Sequence, residues 1–308
     1  MPRISFTAII PTKNRAHDLT LAVRSLLQQS VLPAEVLIVD QSPDDQSRIC
    51  VEQEFASALA QVDNVKLTYI HDIEITGGAT ARNRAMQVAS GDIWLFLDDD
   101  VVLEPDFIEQ LMNAYARYPE ATGVSGVVTN YPKPPLFFRV WNTLFVRGPF
   151  HDDRQPIYWH AEQLRHSDPI PVTRFGGGLM SFRAETIRNC IFDPNLTGVS
   201  DGEDVQFCSR LPEGSVLLIA PRARLVHNCS PIGRDRDHWL RREARSTHYL
   251  FWSVWDHGIY NRICLAWLTV GYVSLSFIGA LRRGSLEPWR AFRAGVKDAK
   301  SVFMREMQ

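Results

Sequence analysis

Ile93-Trp94-Leu95-Phe96-Leu97-Asp98-Asp99-Asp100 runs five apolar residues straight into three carboxylates. An unbroken apolar run of this length, without alternation, is the pattern of a short strand buried on both faces. Such strands belong to parallel α/β sheets, whose ligands sit beyond the carboxyl ends of the strands. Three adjacent aspartates at a strand end repel one another and strain the loop unless a cation relieves them. Their hard oxygen donors suit Mg²⁺ or Mn²⁺. The competing reading is a solvated acidic turn that caps the helix starting at Pro105.

The residues on either side repeat the strand–helix alternation. Ile4 to Ile10 is a buried strand ending at Pro11, and Leu19, Ala22, Val23, Leu26 and Leu27 follow at helical spacing. Val36 to Val39 is a second strand closed by Asp40, Glu52 to Leu59 a helix, and Val65 to Ile70 a third strand. Gly77-Gly78 opens a helix extending to about Ala89, with Gly91 expected as its C-cap. Phe107, Ile108, Leu111, Met112 and Tyr115 form a further apolar helix face. This alternation predicts a parallel sheet with right-handed crossovers. Tyr131 to Pro171 is rich in proline, aromatics and histidine and reads as an irregular excursion. Gly176-Gly177-Gly178 then predicts a tight turn into a strand, Glu203 to Leu211 a helix, and Val216 to Ala220 and Arg224 to His227 two short strands.

The chain has 308 residues, 45% hydrophobic and 22% charged, enough to bury a large core without disulfides. This composition excludes collagen, coiled coil, long disorder and a polytopic membrane protein. The net charge of −2 hides an asymmetry. Residues 232–308 carry 13 basic against 7 acidic side chains, and the remainder 20 against 28. An acidic body with a basic C-terminal piece points to phosphates or a membrane surface for that piece. Cys50, Cys190, Cys208, Cys229 and Cys264 are odd in number and form no CxxC, which predicts a reducing compartment and no zinc ribbon. The apolar run at the start is too short for a secretory signal. Ile263 to Leu281 has no charged residue and is flanked by Arg262 and Arg282-Arg283. Its length suits a bilayer span, while its glycines and hydroxyls make it only moderately apolar and favour a buried or interfacial helix.

Three further segments could carry chemistry. Gly77-Gly78-Ala79-Thr80-Ala81-Arg82-Asn83 places free N–H groups and a guanidinium at a helix start, an arrangement for a diphosphate or simply a helix after glycines. Glu203-Asp204, after Asp201-Gly202, is either a helix-capping pair or the place of a general base. His227 ends an apolar strand, as a core histidine or as a metal ligand beside the aspartates.

Taken in order, Pro11-Thr12-Lys13-Asn14-Arg15, Val39-Asp40, Gly77-Gly78 with Ala81-Arg82-Asn83, Leu97-Asp98-Asp99-Asp100, Gly202-Glu203-Asp204 and His227 resemble the family 2 glycosyltransferases of the GT-A fold. The resemblance covers about Ile4 to Asn228. It implies a Rossmann-like nucleotide-diphospho-sugar transferase, a single large α/β domain with a helical C-terminal extension. Within residues 1–230, residues 1–130 would bind the nucleotide sugar and 131–230 the acceptor. Residues 231–308 would form the basic helical region with the apolar segment 263–281.

The implied reaction is an inverting, metal-dependent transfer from a nucleotide diphosphate sugar to a hydroxyl acceptor, in polysaccharide or glycolipid assembly. Carried over by position, Pro11, Thr12 and Arg15 line the nucleoside pocket, Asp40 takes the base and Arg82 the diphosphate or ribose. Asp98 and Asp100 match the acid-any-acid motif, with Asp98 and Asp99 at the donor and Asp100, Asp98 and His227 as ligands of Mg²⁺ or Mn²⁺. Asp204 matches the catalytic base, with Glu203 beside it and Gly177 and Gly178 at the acceptor. The absence of Gln-x-x-Arg-Trp argues against a processive polymerase, and Asp40-Gln41-Ser42-Pro43 departs from the family's usual second loop, leaving base and sugar unnamed. The acceptor could be a lipid-linked saccharide. The location expected is the cytoplasm, attached to the inner face of the cell membrane, with no nucleic-acid partner.

Two rivals remain at this stage. A sugar nucleotidyltransferase would carry a Gly-x-Gly-Thr-Arg loop where Pro11–Arg15 stands. A non-catalytic, membrane-attached nucleotide- or carbohydrate-binding protein would have lost Asp98, Asp100 or Asp204, which are all present.

Overall fold

A computed structural model describes residues 4–58, 64–147, 162–194, 196, 202–231, 239–255 and 257–306. Asp201 and parts of the 131–171 excursion lie outside the described residues. The strands are β1 (Phe6–Thr12), β2 (Glu35–Asp40), β3 (Lys66–His71), β4 (Ile93–Leu97), β5 (Val101–Leu103), β6 (Ala121–Val128), β7 (Ile170–Val172), β8 (Leu179–Arg183) and β9 (Val216–His227). They form one sheet in the order β3-β2-β1-β4-β8-β6-β9-β5, with β7 also paired to β9.

The first half is parallel, β1 pairing with both β2 and β4 and β2 with β3. An all-parallel sheet does not persist beyond β4. β8 runs antiparallel to β4 and to β6, and β5 and β7 run antiparallel to β9. Helix alternation predicts parallel crossovers only while the helices last, and the chain after β6 reaches β8 by the excursion instead.

Period-two alternation assigns the parallel strands to two cores. Ala8, Ile10, Val36, Ile38, Ile93, Leu95 and Leu97 face one side, packed with Leu19, Val23 and Leu26 of α1 (Ala16–Leu27) and Phe107, Ile108 and Leu111 of α4 (Phe107–Arg117). Ile9, Leu37, Val39, Trp94 and Phe96 face the other, with Ala79, Ala81 and Ala85 of α3 (Gly78–Met86) and with Phe182, Phe192 and Phe207. Each fully buried Val, Leu, Ile or Phe among them contributes about 1.5–3 kcal/mol.

Three local expectations are corrected. α2 starts earlier than expected, spanning Gln46–Ala58. α3 ends at Met86, and Gly91 is not its cap: Gly91 donates its N–H to Thr7 Oγ1 at 2.9 Å, and an added Cβ would lie 2.7 Å from Thr7 N. The two short strands expected between Val216 and His227 are one strand. Its register against β6 slips between Ser125–Ile219 and Val127–Arg224, and Pro221, which has no N–H to give, sits in that bulge.

The excursion contains α5 (Leu136–Asn142), continued by a wide turn at Thr143–Arg147. The C-terminal part is helical: Trp239–Ser253, Ile259–Arg283 and Glu287–Glu306. Leu240, Ala244, Leu268, Tyr272, Leu275 and Phe292 form a core among these helices. A second cluster, with Val205, Tyr249, Leu250 and Ala299, ties them to the back of the Glu203–Ser209 helix.

Candidate active site

Parallel pairing of β1 with β4, Ile9 opposite Phe96, sets the loop after Thr12 beside Asp98, Asp99 and Asp100. Thr12 Oγ1 donates to Asp99 Oδ2 at 2.7 Å and Arg15 Nη1 to Asp99 Oδ1 at 2.8 Å. Asp99 therefore faces the N-terminal loop, while Asp98 and Asp100 share a different neighbour, His227. Burial pushes the Asp99 carboxyl up to about 6, with Arg15 and Thr12 opposing the rise.

His227 reaches the aspartates because β9 runs antiparallel to β5, placing it opposite Val101. Its Nε2 lies 2.9 Å from Asp100 Oδ1 and 4.0 Å from Asp98 Oδ2. The backbone N–H of Ser230 donates to Asp100 Oδ2 at 2.8 Å. Burial opposes ionisation of Asp100, yet His227, the Ser230 N–H and Arg15 outweigh it and hold the carboxyl below its ordinary range. The ligand atoms of Asp98, Asp100 and His227 all lie within 4.8 Å of one another. Two carboxylates and an imidazole converging at this spacing fit a hard divalent cation such as Mg²⁺ or Mn²⁺.

Arg82 lies on α3, 3% exposed. Nη2 donates to Asp98 Oδ1 at 3.1 Å and Nη1 to Glu203 Oε1, and the guanidinium carbon stands 5.7 Å from the centroid of the Phe192 ring. Burial works against its charge, but Glu203 and Asp98 more than offset that, so its pKa is raised. Glu203 thus faces Arg82 as well as following Gly202 at the helix start.

The Gly177-Gly178 turn joins the two acidic clusters. Asp98 N–H donates to the Gly178 carbonyl at 3.1 Å, and Gly177 N–H donates to Asp204 Oδ2. Asp204 Oδ1 accepts the Val205 N–H at 2.9 Å. Gly178 has φ +85°, and an added Cβ would lie 2.9 Å from Asp98 Cγ. Gly177 is exposed, while Gly178 and Asp204 are buried.

The remaining expected residues sit around the carboxyl ends of β1 and β2 and the start of α3. Pro11 and Thr12 are in register with Val39 and Asp40. Asp40 is fully buried: Oδ1 accepts the Ser42 N–H at 2.8 Å and the Ser42 hydroxyl at 2.5 Å, and Oδ2 accepts the Tyr69 hydroxyl at 2.7 Å. Gly77 N–H donates to Gln41 Oε1 at 2.8 Å, drawing the start of α3 toward the β2 loop. Tyr69, Ser42, Gln41 and Ser230 were missed in the sequence reading. They hold other site residues through pairings set by strand register and loop closure, which leave no local signal. For Ser230 the sole hint was its position three residues after His227.

The mixed sheet with aspartates at the end of β4 is that of the GT-A nucleotide-diphospho-sugar transferase fold. The family model described as "Glycosyl transferase family 2" matches residues 7–186, more than half of the chain, which belongs to that family. Over 297 residues it is 27% identical to the succinoglycan biosynthesis protein ExoM of Rhizobium meliloti, covering 92% of this chain and 88% of the relative. It is 30% identical over 139 residues to a glucosyl-dolichyl phosphate glucuronosyltransferase of Haloferax volcanii, which is 44% of this chain and 42% of the relative. It is 24% identical over 288 residues to a validoxylamine A glucosyltransferase of Streptomyces hygroscopicus, 83% of this chain and 61% of the relative. The last two matches therefore span less than two thirds of those relatives.

Among solved structures, a mannosyltransferase from Pyrobaculum calidifontis in complex with GDP-Man and Mn²⁺ superposes with TM-score 0.60 at 19% identity, covering 99% of this chain and 88% of the other. The Staphylococcus aureus TarS 1-349 complex with UDP-GlcNAc gives TM-score 0.58 at 15% identity, covering 97% and 82%.

Proposed function

We propose that this protein is an inverting, metal-dependent glycosyltransferase that moves a sugar from a nucleotide diphosphate sugar to an acceptor hydroxyl. The observation that carries the reading is the convergence of Asp98, Asp100 and His227, with Arg82 bonded to Asp98 and Asp204 held by the Gly177 N–H of the adjoining turn. Asp98, Asp100 and His227 would hold the divalent cation. When bound, that cation supplies charge neutralisation for the departing diphosphate. Arg82 adds a buried positive charge on the same side, kept in place by Glu203. Thr12, Arg15 and Pro11 would line the nucleoside, with Asp40 setting the shape of that pocket through Ser42 and Tyr69.

Asp204 would take the proton of the acceptor hydroxyl as its oxygen attacks the anomeric carbon, opposite the breaking bond to the diphosphate. One displacement inverts the linkage and needs no carboxylate nucleophile. The Gly177 and Val205 N–H groups hold the Asp204 carboxylate in place. Residues 1–130 would thus serve the donor and 131–230 the acceptor.

The relatives' names support an acceptor in polysaccharide or lipid-linked saccharide assembly. Attachment to the cytoplasmic face of the membrane is supported by the Ile259–Arg283 helix, long and apolar enough to cross a bilayer. Ile263, Trp267, Val270, Phe277 and Leu281 form an exposed apolar stripe along it, and Leu136, Phe137, Val140 and Leu144 are exposed on α5 and the turn after it. The turn after α5 meets that stripe where Phe145 stacks on Trp267 at 4.9 Å.

A panel of nucleotide sugars with Mn²⁺ or Mg²⁺, read as released nucleoside diphosphate, tests the transfer. No release from any donor with any metal would refute it. Fractionation of the full chain against one ending near Arg262 tests the attachment. A full chain that ignores anionic liposomes at low salt would end that part of the reading.

A further inference from the structure

The three C-terminal helices enclose a groove of about 490 Å³, lined by His248, Trp252, Thr269, Phe292, Val296 and the rim residues Arg293, Lys297 and Lys300. The floor is apolar apart from Thr269 and His248. The His248 Nδ1–H donates to the Ala244 carbonyl at 2.8 Å, which fixes the tautomer. Nε2 faces Thr269 Oγ1 at 3.5 Å, and the Thr269 hydroxyl donates to the Leu265 carbonyl at 2.7 Å. Burial holds the imidazole below its ordinary pKa, so the floor carries no charge near neutral pH.

The rim is the opposite. Arg293, Lys297 and Lys300 recur at helical spacing on one face of the Glu287–Glu306 helix, all exposed. Asp298, the acid between them, is taken by Arg241 Nε at 2.7 Å. Three cations therefore border an uncharged apolar slot. A free phosphate has use for the cations but none for the slot, and a neutral hydrocarbon has use for the slot but none for the cations. An amphiphile with a phosphate head uses both. Thr269 on the groove wall is followed directly by Val270 of the exposed stripe, so the groove borders the face proposed to meet the bilayer.

We propose that this groove binds one anionic phospholipid, its phosphate between Arg293, Lys297 and Lys300 and the first segment of an acyl chain against Trp252, Phe292 and Val296. The site deepens the membrane attachment proposed above and is independent of the transfer reaction.

The test uses the full chain and monomeric dihexanoylphosphatidylglycerol, with no vesicle, donor or acceptor present. A failed groove is thereby told apart from failed catalysis or failed vesicle binding. Calorimetry should show binding of this lipid, weaker binding of dihexanoylphosphatidylcholine, and little competition by inorganic phosphate. The exposed double variant Lys297→Glu/Lys300→Glu should weaken binding at least about tenfold, on the scale of two basic contacts to an anionic lipid. Trp252→Phe should keep calorimetric binding and remove most of the lipid-induced fluorescence change, and Thr269→Leu, checked for folding by its melt, should narrow the slot and weaken binding. Equal binding by the charge-reversed variant overturns the headgroup site. Equal affinity for phosphatidylcholine, full competition by phosphate, or a fluorescence change that survives Trp252→Phe overturns the amphiphile in this groove.

Discussion

Gly178→Ala tests how closely the acidic cluster and the glycine turn are fitted. Gly178 has φ +85°, a conformation that costs an L-residue roughly 1–2 kcal/mol. The added Cβ would also stand 2.9 Å from Asp98 Cγ and closer still to Oδ2, so the carboxylate must retreat. Restoring ordinary contact requires a shift of about 1 Å, and a misplacement of that size at a reacting centre costs on the order of 10²-fold in rate. The expected variant is folded, less stable by about 1–2 kcal/mol in denaturant melts, with turnover lowered about 10²-fold and a higher requirement for Mn²⁺. Gly177→Ala is the control. Gly177 lies outside the positive-φ glycines, and its Cβ would meet Asp204 Oδ2 at 3.6 Å, ordinary contact. It should keep stability and metal requirement close to the parent's. Equal turnover and equal metal requirement in Gly178→Ala and the parent would refute the argument that this glycine sets the position of Asp98.

Asp204→Asn should keep donor affinity and lower turnover by about 10²-fold or more, the scale of a lost general base; weakened donor binding with intact turnover would move Asp204 to the donor side. Asp100→Ala should abolish divalent-dependent donor binding while circular dichroism stays native, and near-normal turnover in a chelator would remove the metal from the reading. Glu35 is buried and accepts hydrogen bonds from Lys66, Thr68, Thr7 and Ser90. Burial opposes its charge, but these donors win and its pKa falls to about 2. A depressed carboxylate contributes stability above its unfolded pKa and loses it as pH falls through the folded value. The parent should therefore lose about 3 kcal/mol relative to Glu35→Gln as pH falls from 5 to 2, read by denaturant melts; parallel pH profiles would refute it.

Much of this protein was legible in the chain because its signals are local. The apolar runs at β1, β2 and β4 carry their burial in their composition, and a strand that ends in aspartates marks the ligand edge of a parallel sheet without any knowledge of its neighbours. The ordered set from Pro11 to His227 placed the chain in its family for the same reason: each motif sits at a strand end or helix start that its own residues announce. Helix limits were less legible. Gly91 looked like a cap from its place after a helical run, and only the approach of β1 shows that Thr7 is what requires it.

What the tertiary structure decided is which of those residues meet. Asp98 and Asp99 are neighbours in sequence, yet the turn that follows β4 sets one against Arg82 and the other against Arg15 and Thr12. Glu203 was expected beside the catalytic Asp204, and the fold also sets it against the buried Arg82. His227 had two open readings, and the antiparallel pairing of β5 with β9 places it beside Asp100. The groove of the C-terminal helices had no trace in the sequence beyond a basic charge count. Strand register, helix crossing and loop closure bring together residues that lie far apart along the chain, and period and composition describe only near neighbours.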